Sequence, residues 1–390
     1  MLVRNRVALV AATALTCAGL VGGAPASAVS PKVVETPAKV TVVASGLEGP
    51  RQLSATDTYF YVAESDLAQV TRVRRSNGSK RVVVSDVPLA QGVARIGSKI
   101  YVAAGEGEPE PGKPGVTGAK LYAAKPFGKR KTFADPLAFE LKYNPDNQTQ
   151  FDDKGVALDA VSNPYYLVNR KGPGFMLMVG AGGNDVLAVS KKGNLSPFFV
   201  PSVITTGVCQ GLADEDQNSD AGPSCDPTPT GIAYGPDGNL YISGLSGLAP
   251  GEGRVYVVNR NGKLLRTLTG FSNSVGVAVG PDGSVYVSDL LQGFSFEEGA
   301  ARKGGATLGQ ARKAAKAAAA DDAFDPSTIG QIVKVAPDGK RTYAQVPMPS
   351  GLLFRDGKLY ANTWAVAGSF FGIPRAGQTV AVDLSSFQPA

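Results

Sequence analysis

The chain has 390 residues, with 48 Gly, 27 Pro, three Cys, one Trp and no His. Gly and Pro make up about a fifth of it, against about 12% in ordinary proteins, and the formal net charge is only +6. Without an imidazole there can be no Ser-His-Asp or Cys-His couple, no H-E-x-x-H zinc helix and no histidine pH switch. Any chemistry must use carboxylates, Lys, Tyr, hydroxyls or a bound cofactor. At 43% hydrophobic residues the chain is far from the disordered regime, and its turn residues point to many short strands.

Residues 1–28 read as an export signal. Arg4 and Arg6 form a positive start, Val7 to Val21 is an apolar run too short to span a bilayer of ~30 Å, and Ala26-Ser27-Ala28 offers the small residues of a cleavage site. Thr16 before Cys17 fits lipid attachment poorly. A secreted, extracellular or cell-wall-associated protein is expected, with no transmembrane segment in the mature chain. Residues 29–39 then read as a linker. Further on, Arg72, Arg74, Arg75, Lys80 and Arg81 alternate with Val70, Val73 and Val82. With no interleaved aromatic residue to stack bases, these charges read as the solvated face of an outer strand, and nucleic acid is not an expected partner.

From residue 40 the chain repeats itself. Gly231-Ile232-Ala233-Tyr234-Gly235-Pro236-Asp237-Gly238-Asn239-Leu240-Tyr241-Ile242-Ser243 returns as Gly276-Val277-Ala278-Val279-Gly280-Pro281-Asp282-Gly283-Ser284-Val285-Tyr286-Val287-Ser288. Each copy is a strand, a turn in which Pro presets φ and Gly takes positive φ, and a second strand. Arg254–Asn259 with Asn261–Leu264, and Gln331–Val335 with Pro337–Lys340, supply a third and fourth strand. Four strands in ~40 to 45 residues make one propeller blade. Weaker copies open at Arg51, Gly92, Asn163 and Gly351, giving six units. The sixth has room for only three strands, so Val40–Val43 is expected to complete it. The predicted fold is an all-β six-bladed propeller over residues 40–390, of four-stranded antiparallel blades closed by the N-terminal strand.

Insertions interrupt the repeat at 105–118, 136–158, 204–229 and 290–329. The last includes an Ala-rich run, Leu308 to Ala320, of good helix formers. Cys209 and Cys225 remain after the signal is removed, and an even count in an exported protein argues for a disulfide. Between them, Asp214, Asp216, Asn218 and Asp220 have the spacing of the first half of a calcium loop. Ser219 stands where the sharp-turn Gly belongs, and no Glu holds the twelfth position. Calcium is the one cofactor that these acids suggest.

Several pieces in order, Gly46-Leu47-Glu48-Gly49-Pro50-Arg51, Ser162-Asn163-Pro164-Tyr165, Gly183-Asn184-Asp185, the Cys209 to Cys225 loop and Pro229-Thr230-Gly231, resemble the ScyD/ScyE family of exported NHL-like β-propellers. The resemblance runs from about Val40 to Leu384. It implies a propeller fold and an association, in cyanobacteria, with biosynthesis of the extracellular pigment scytonemin. This chain lacks acids at several blade positions where members carry them.

In a propeller the loop after each second strand and the loop before each first strand open on the same end of the channel. Arg51, Glu64, Asn163, Asn273 and Asp289 fall at such positions and are the candidate binding residues. Glu64 and Asp289, with the two amides, offer hard oxygen ligands of the kind that suit calcium or magnesium, as in gluconolactonase-type propeller enzymes. No G-x-S-x-G elbow, Walker loop or dinucleotide fingerprint is present. The preferred reading is a monomeric, non-catalytic binding or scaffold module for an extracellular ligand or protein. The alternative is a metal-dependent hydrolase or lactonase.

Overall fold

The computed structural model describes residues 36–107, 116, 118–171, 174–210, 225–294, 308–319 and 324–389. The export signal and the acids Asp214, Asp216 and Asp220 lie outside the described residues.

After β1 (Val40–Leu47), blade 1 comprises β2 (Pro50–Ala55), β3 (Tyr59–Glu64), β4 (Gln69–Arg74) and β5 (Lys80–Val84). Blade 2 comprises β6 (Ala90–Ile96), β7 (Lys99–Glu106), β8 (Gly118–Ala124) and β9 (Lys131–Ala134). Blade 3 follows as β10 (Pro164–Asn169), β11 (Met176–Gly180), β12 (Asp185–Val189) and β13 (Leu195–Phe199). Blade 4 is β14 (Pro229–Tyr234), β15 (Leu240–Gly244), β16 (Gly253–Val258) and β17 (Leu264–Phe271). Blade 5 is β18 (Ser274–Val279), β19 (Val285–Asp289), β20 (Gln331–Val335) and β21 (Arg341–Gln345). The last chain segment supplies β22 (Leu352–Arg355), β23 (Lys358–Thr363) and β24 (Gly377–Val382), and β1 joins as the outer strand of this sixth blade. Val40 pairs with Val382 and Leu47 with Gly377, antiparallel, so the first strand closes the ring as expected.

The repeated motif explains each hairpin. Gly238 and Gly283 adopt φ of 76° and 82°, where a side chain would be strained. Asp237 Oδ1 accepts Asn239 N–H at 3.1 Å, and Asp282 Oδ1 accepts Ser284 N–H at 3.0 Å, folding the two turns. The serine ending the motif joins one blade to the next. Ser243 Oγ donates to Val275 O at 2.8 Å and Ser288 Oγ to Ser350 O at 2.8 Å; at the next seam Ser350, just before β22, donates from Oγ to Pro50 O at 2.7 Å. Both faces of the strands are apolar because each blade is sandwiched. Separate buried clusters fill the gaps, for example Val93, Ile100 and Val102 against Tyr61 and Val70, and Leu53, Phe60 and Val62 against Tyr360.

Pairings such as Pro50 with Glu64, Pro164 with Gly180 and Ser274 with Asp289 put first-strand starts beside second-strand ends. All four insertions therefore open at one end of the ring, and tight turns such as Gly235–Asn239 occupy the other. Among the described residues the insertion end also holds three helices: α1 (Pro136–Tyr143), α2 (Leu308–Ala318) and α3 (Ala367–Phe371). Helix α1 lies in a segment whose polar composition reads as loop. Asp135 Oδ1 caps it by accepting Ala138 N–H at 3.1 Å, Pro136 starts it, and Asn144 at φ 40° ends it.

The arginines of β4 and β5 do have aromatic neighbours: the Arg72 guanidinium lies 4.5 Å from the Tyr59 ring and 5.0 Å from Phe127, and Arg81 lies 4.2 Å from Phe127. Tyr59 is the cross-strand neighbour of Arg74 on β3, and Phe127 comes from a hairpin of blade 2, so their proximity depends on strand pairing and blade packing rather than on local alternation.

Candidate functional site

Polar side chains of the inner strands link blades around and across the ring. Gln52 of β2 accepts Val93 N–H and Leu167 N–H at 2.8 Å each and donates to Leu167 O at 2.6 Å, linking blades 1, 2 and 3. Tyr166 of blade 3 donates to Leu352 O of blade 6 at 3.4 Å, across the ring. Above them Tyr165 and Trp364, both half-buried, face an apolar cap in which α2 packs on α3 through Ala315, Phe370 and Phe371 over Leu290, Leu291 and Met348.

The predicted residues all sit at this end, in separate environments. Arg51 is buried, its guanidinium donating to Ala365 O and lying 3.9 Å from Asp66 Oδ1. Glu64 is saturated: Oε2 accepts Glu48 N–H at 2.8 Å, and Oε1 accepts Gln69 Nε2 at 2.9 Å and the Thr71 hydroxyl. Asn163, at φ 41°, uses Oδ1 to accept Glu106 N–H at 3.2 Å. Asn273 is buried; its carbonyl accepts Leu290 N–H at 3.0 Å, and its Nδ2 has no hydrogen-bond partner. Asp289 is fully buried. Its Oδ2 accepts Gln331 Nε2 at 3.4 Å, Oδ1 has no hydrogen-bond partner, and burial pushes its pKa up to about 7. Glu64 and Asp289 bond to separate partners in blades 1 and 5. Among the described residues no three His, Cys, Asp or Glu side chains form a metal cluster.

Cys209 and Cys225 are joined in a disulfide with Cα atoms 5.4 Å apart. The bridge lies beside a two-way backbone pairing of Ile204 with Cys225 and packs on Ala249 of blade 4. A disulfide indicates an oxidising compartment. No helix among the described residues is long and apolar enough to cross a membrane.

Sequence reasoning missed a set of acids between blades 2 and 3. Buried Glu106 of β7 organises the entry to β10: Oε1 accepts Val161 N–H at 3.1 Å, and Oε2 accepts Ser162 N–H at 2.9 Å. Burial raises its pKa more than those bonds lower it. Behind it, Glu140 of α1 and Asp185 of β12 face each other. Burial raises both, aided by the charge of Asp146 beside Glu140 and of Glu140 beside Asp185, and brings Glu140 to about 8. The available signals were the capped D-P-x-x-x-E start of α1 at Asp135 and the Gly182-Gly183-Asn184-Asp185 turn.

No protein-family model matches the chain, and no curated protein sequence matches it. Solved structures share the architecture. A Bacteroides thetaiotaomicron protein of unknown function aligns with a TM-score of 0.51 at 11% identity, covering 88% of this chain and 76% of that one. The calcium-binding protein regucalcin from Agrobacterium tumefaciens gives 0.49 at 12% identity, covering 92% and 95%. A putative gluconolactonase gives 0.48 at 11% identity, covering 92% and 96%. At such identities the likeness concerns fold, and the chain is a six-bladed β-propeller similar in architecture to these proteins.

Proposed function

We propose that this protein is an exported, ScyD/ScyE-like binding module that holds an extracellular ligand at the insertion-bearing end of its propeller, without catalysing a reaction. One observation carries the reading: the inserted segments of blades 2 to 5 and the three described helices are anchored at the same end, where the half-buried rings of Tyr165 and Trp364 pack against an apolar cluster and Arg51 donates to Ala365 O. Ligand sites favour largely apolar surroundings with a few fixed polar groups. Glu64, with both oxygens already engaged, contributes by fixing the rim rather than by reacting.

A thermal-shift screen of defined sugars, lactones and aromatic metabolites tests this. A stabilising compound is expected whose effect disappears in Trp364→Ala, a half-buried position, while circular dichroism of the variant stays unchanged. A hit indifferent to Trp364→Ala, or turnover of a lactone by the wild type, would overturn it. The hydrolase alternative rests on Asp289, whose unpartnered Oδ1 is the free acidic oxygen among the predicted rim residues. It requires that Asp289→Asn abolish any such turnover.

A further inference from the structure

Glu140 and Asp185 are 1% and 0% exposed, and none of their four carboxyl oxygens receives a hydrogen bond from any other residue. The one bond open to them is with each other, and it needs a proton on one of the two. Asp146 adds a third acid nearby, and no Lys or Arg is among the groups acting on any of the three. Burying uncompensated carboxylates costs several kcal/mol per ion. Among the described residues the arrangement therefore lacks a positive partner.

The chain is shaped around this pair. In the turn between β11 and β12, a Cβ on Gly183 would lie 2.9 and 3.2 Å from the Glu140 oxygens, and one on Gly180 would lie 2.7 Å from Asp185 Oδ1. The glycines of Gly180-Ala181-Gly182-Gly183 thus leave space for two carboxylates. Asn184 holds the third acid, donating from Nδ2 to Asp146 Oδ2 at 3.1 Å while its Oδ1 accepts Thr228 N–H at 3.0 Å. A cleft lined by Asp146, Gln148, Asp159 and Gly182 has a volume of about 20 Å³, room for one water-sized occupant. Gln148 is 6% exposed, and its Oε1 also has no donor.

We propose that Glu140 and Asp185 are the carboxylate ligands of a hard divalent cation, Ca²⁺ or Mg²⁺, which enters by the Asp146–Gln148 cleft. Two carboxylates do not fill the shell of either ion, so Gln148 Oε1 and water complete it, with Asp146 in the outer shell. The cation fastens α1, in the connection between blades 2 and 3, to the β11–β12 turn. This site is independent of ligand binding at the channel mouth.

The test uses the mature full-length protein, dialysed against chelator and then titrated with CaCl₂ or MgCl₂ by calorimetry and thermal melting. About one equivalent of one of the two ions is expected to bind and to raise Tm, and the ion with the larger effect is the resident one. Glu140→Gln and Asp185→Asn should each abolish binding. In case these buried variants fold poorly, Asp146→Asn is included and should weaken binding about tenfold, as outer ligand-shell changes do. Absence of heat and of a Tm shift with both ions in the wild type, or undiminished binding in Glu140→Gln that folds, would overturn the proposal.

Discussion

Asp289 illustrates how a single buried side chain couples this fold to pH. It ends β19 with no exposure and one unpaired oxygen, and burial holds its proton until about pH 7. In the unfolded chain a carboxyl of this type releases its proton near pH 4. The folded state therefore binds more protons between those values, and this group's contribution to stability falls as pH rises through that window, by at most ~1.4 kcal/mol per pH unit. Asp289→Asn should flatten that component. Urea denaturation of both proteins at pH 5 and pH 7.5 measures it, and equal pH dependence in the two would refute the assignment.

At the scale of strands and loops, the tightest constraint is where one blade meets the next. A Cβ on Gly276 would lie 2.0 Å from Ser350 O and 3.0 Å from Ser288 Oγ, in the hydrogen-bonded seam between blades 5 and 6. Gly276→Ala should cost more than about 2 kcal/mol by overpacking, read as a shifted urea midpoint. The same change at Gly357, where a Cβ would have open space but φ is 75°, should cost about 1 kcal/mol. The disulfide acts on one connection only. Its 16-residue separation corresponds to about 3 kcal/mol in the chain-entropy account. Reduction should lower Tm while leaving the strand content by circular dichroism intact.

The same scale shows what was legible in the residues. Gly-Pro-Asp-Gly turns and their flanking strands have local causes, so the blades, their order and the disulfide could be read directly. The acid pair could not. Glu140 and Asp185 meet only because α1 folds back onto the turn after β11, and nothing local to either residue announces the other. Glu64 misled for the opposite reason: its position at a strand end suggests a free ligand, but Gln69 and Thr71 on the adjacent strand occupy one of its oxygens.

At the scale of the molecule, closure and polarity matter most. Since β1 is the outer strand of the last blade, deleting residues 40–47 would expose the edge of β24 and open the seam to blade 1. The expected result is a loss of cooperative unfolding together with self-association, visible by light scattering. Polarity is the functional counterpart: among the described residues one end carries short turns, and the other carries the insertions, the helices, the disulfide and the candidate site residues Arg51, Glu64, Asn163, Asn273 and Asp289. The most direct measurement of this claim is hydrogen–deuterium exchange on the protein with and without a compound found in the thermal-shift screen. Protection confined to peptides around Arg51, Tyr165 and Trp364 is predicted. Protection confined to the opposite turns, at residues 235–239, 280–284 and 336–340, would contradict it.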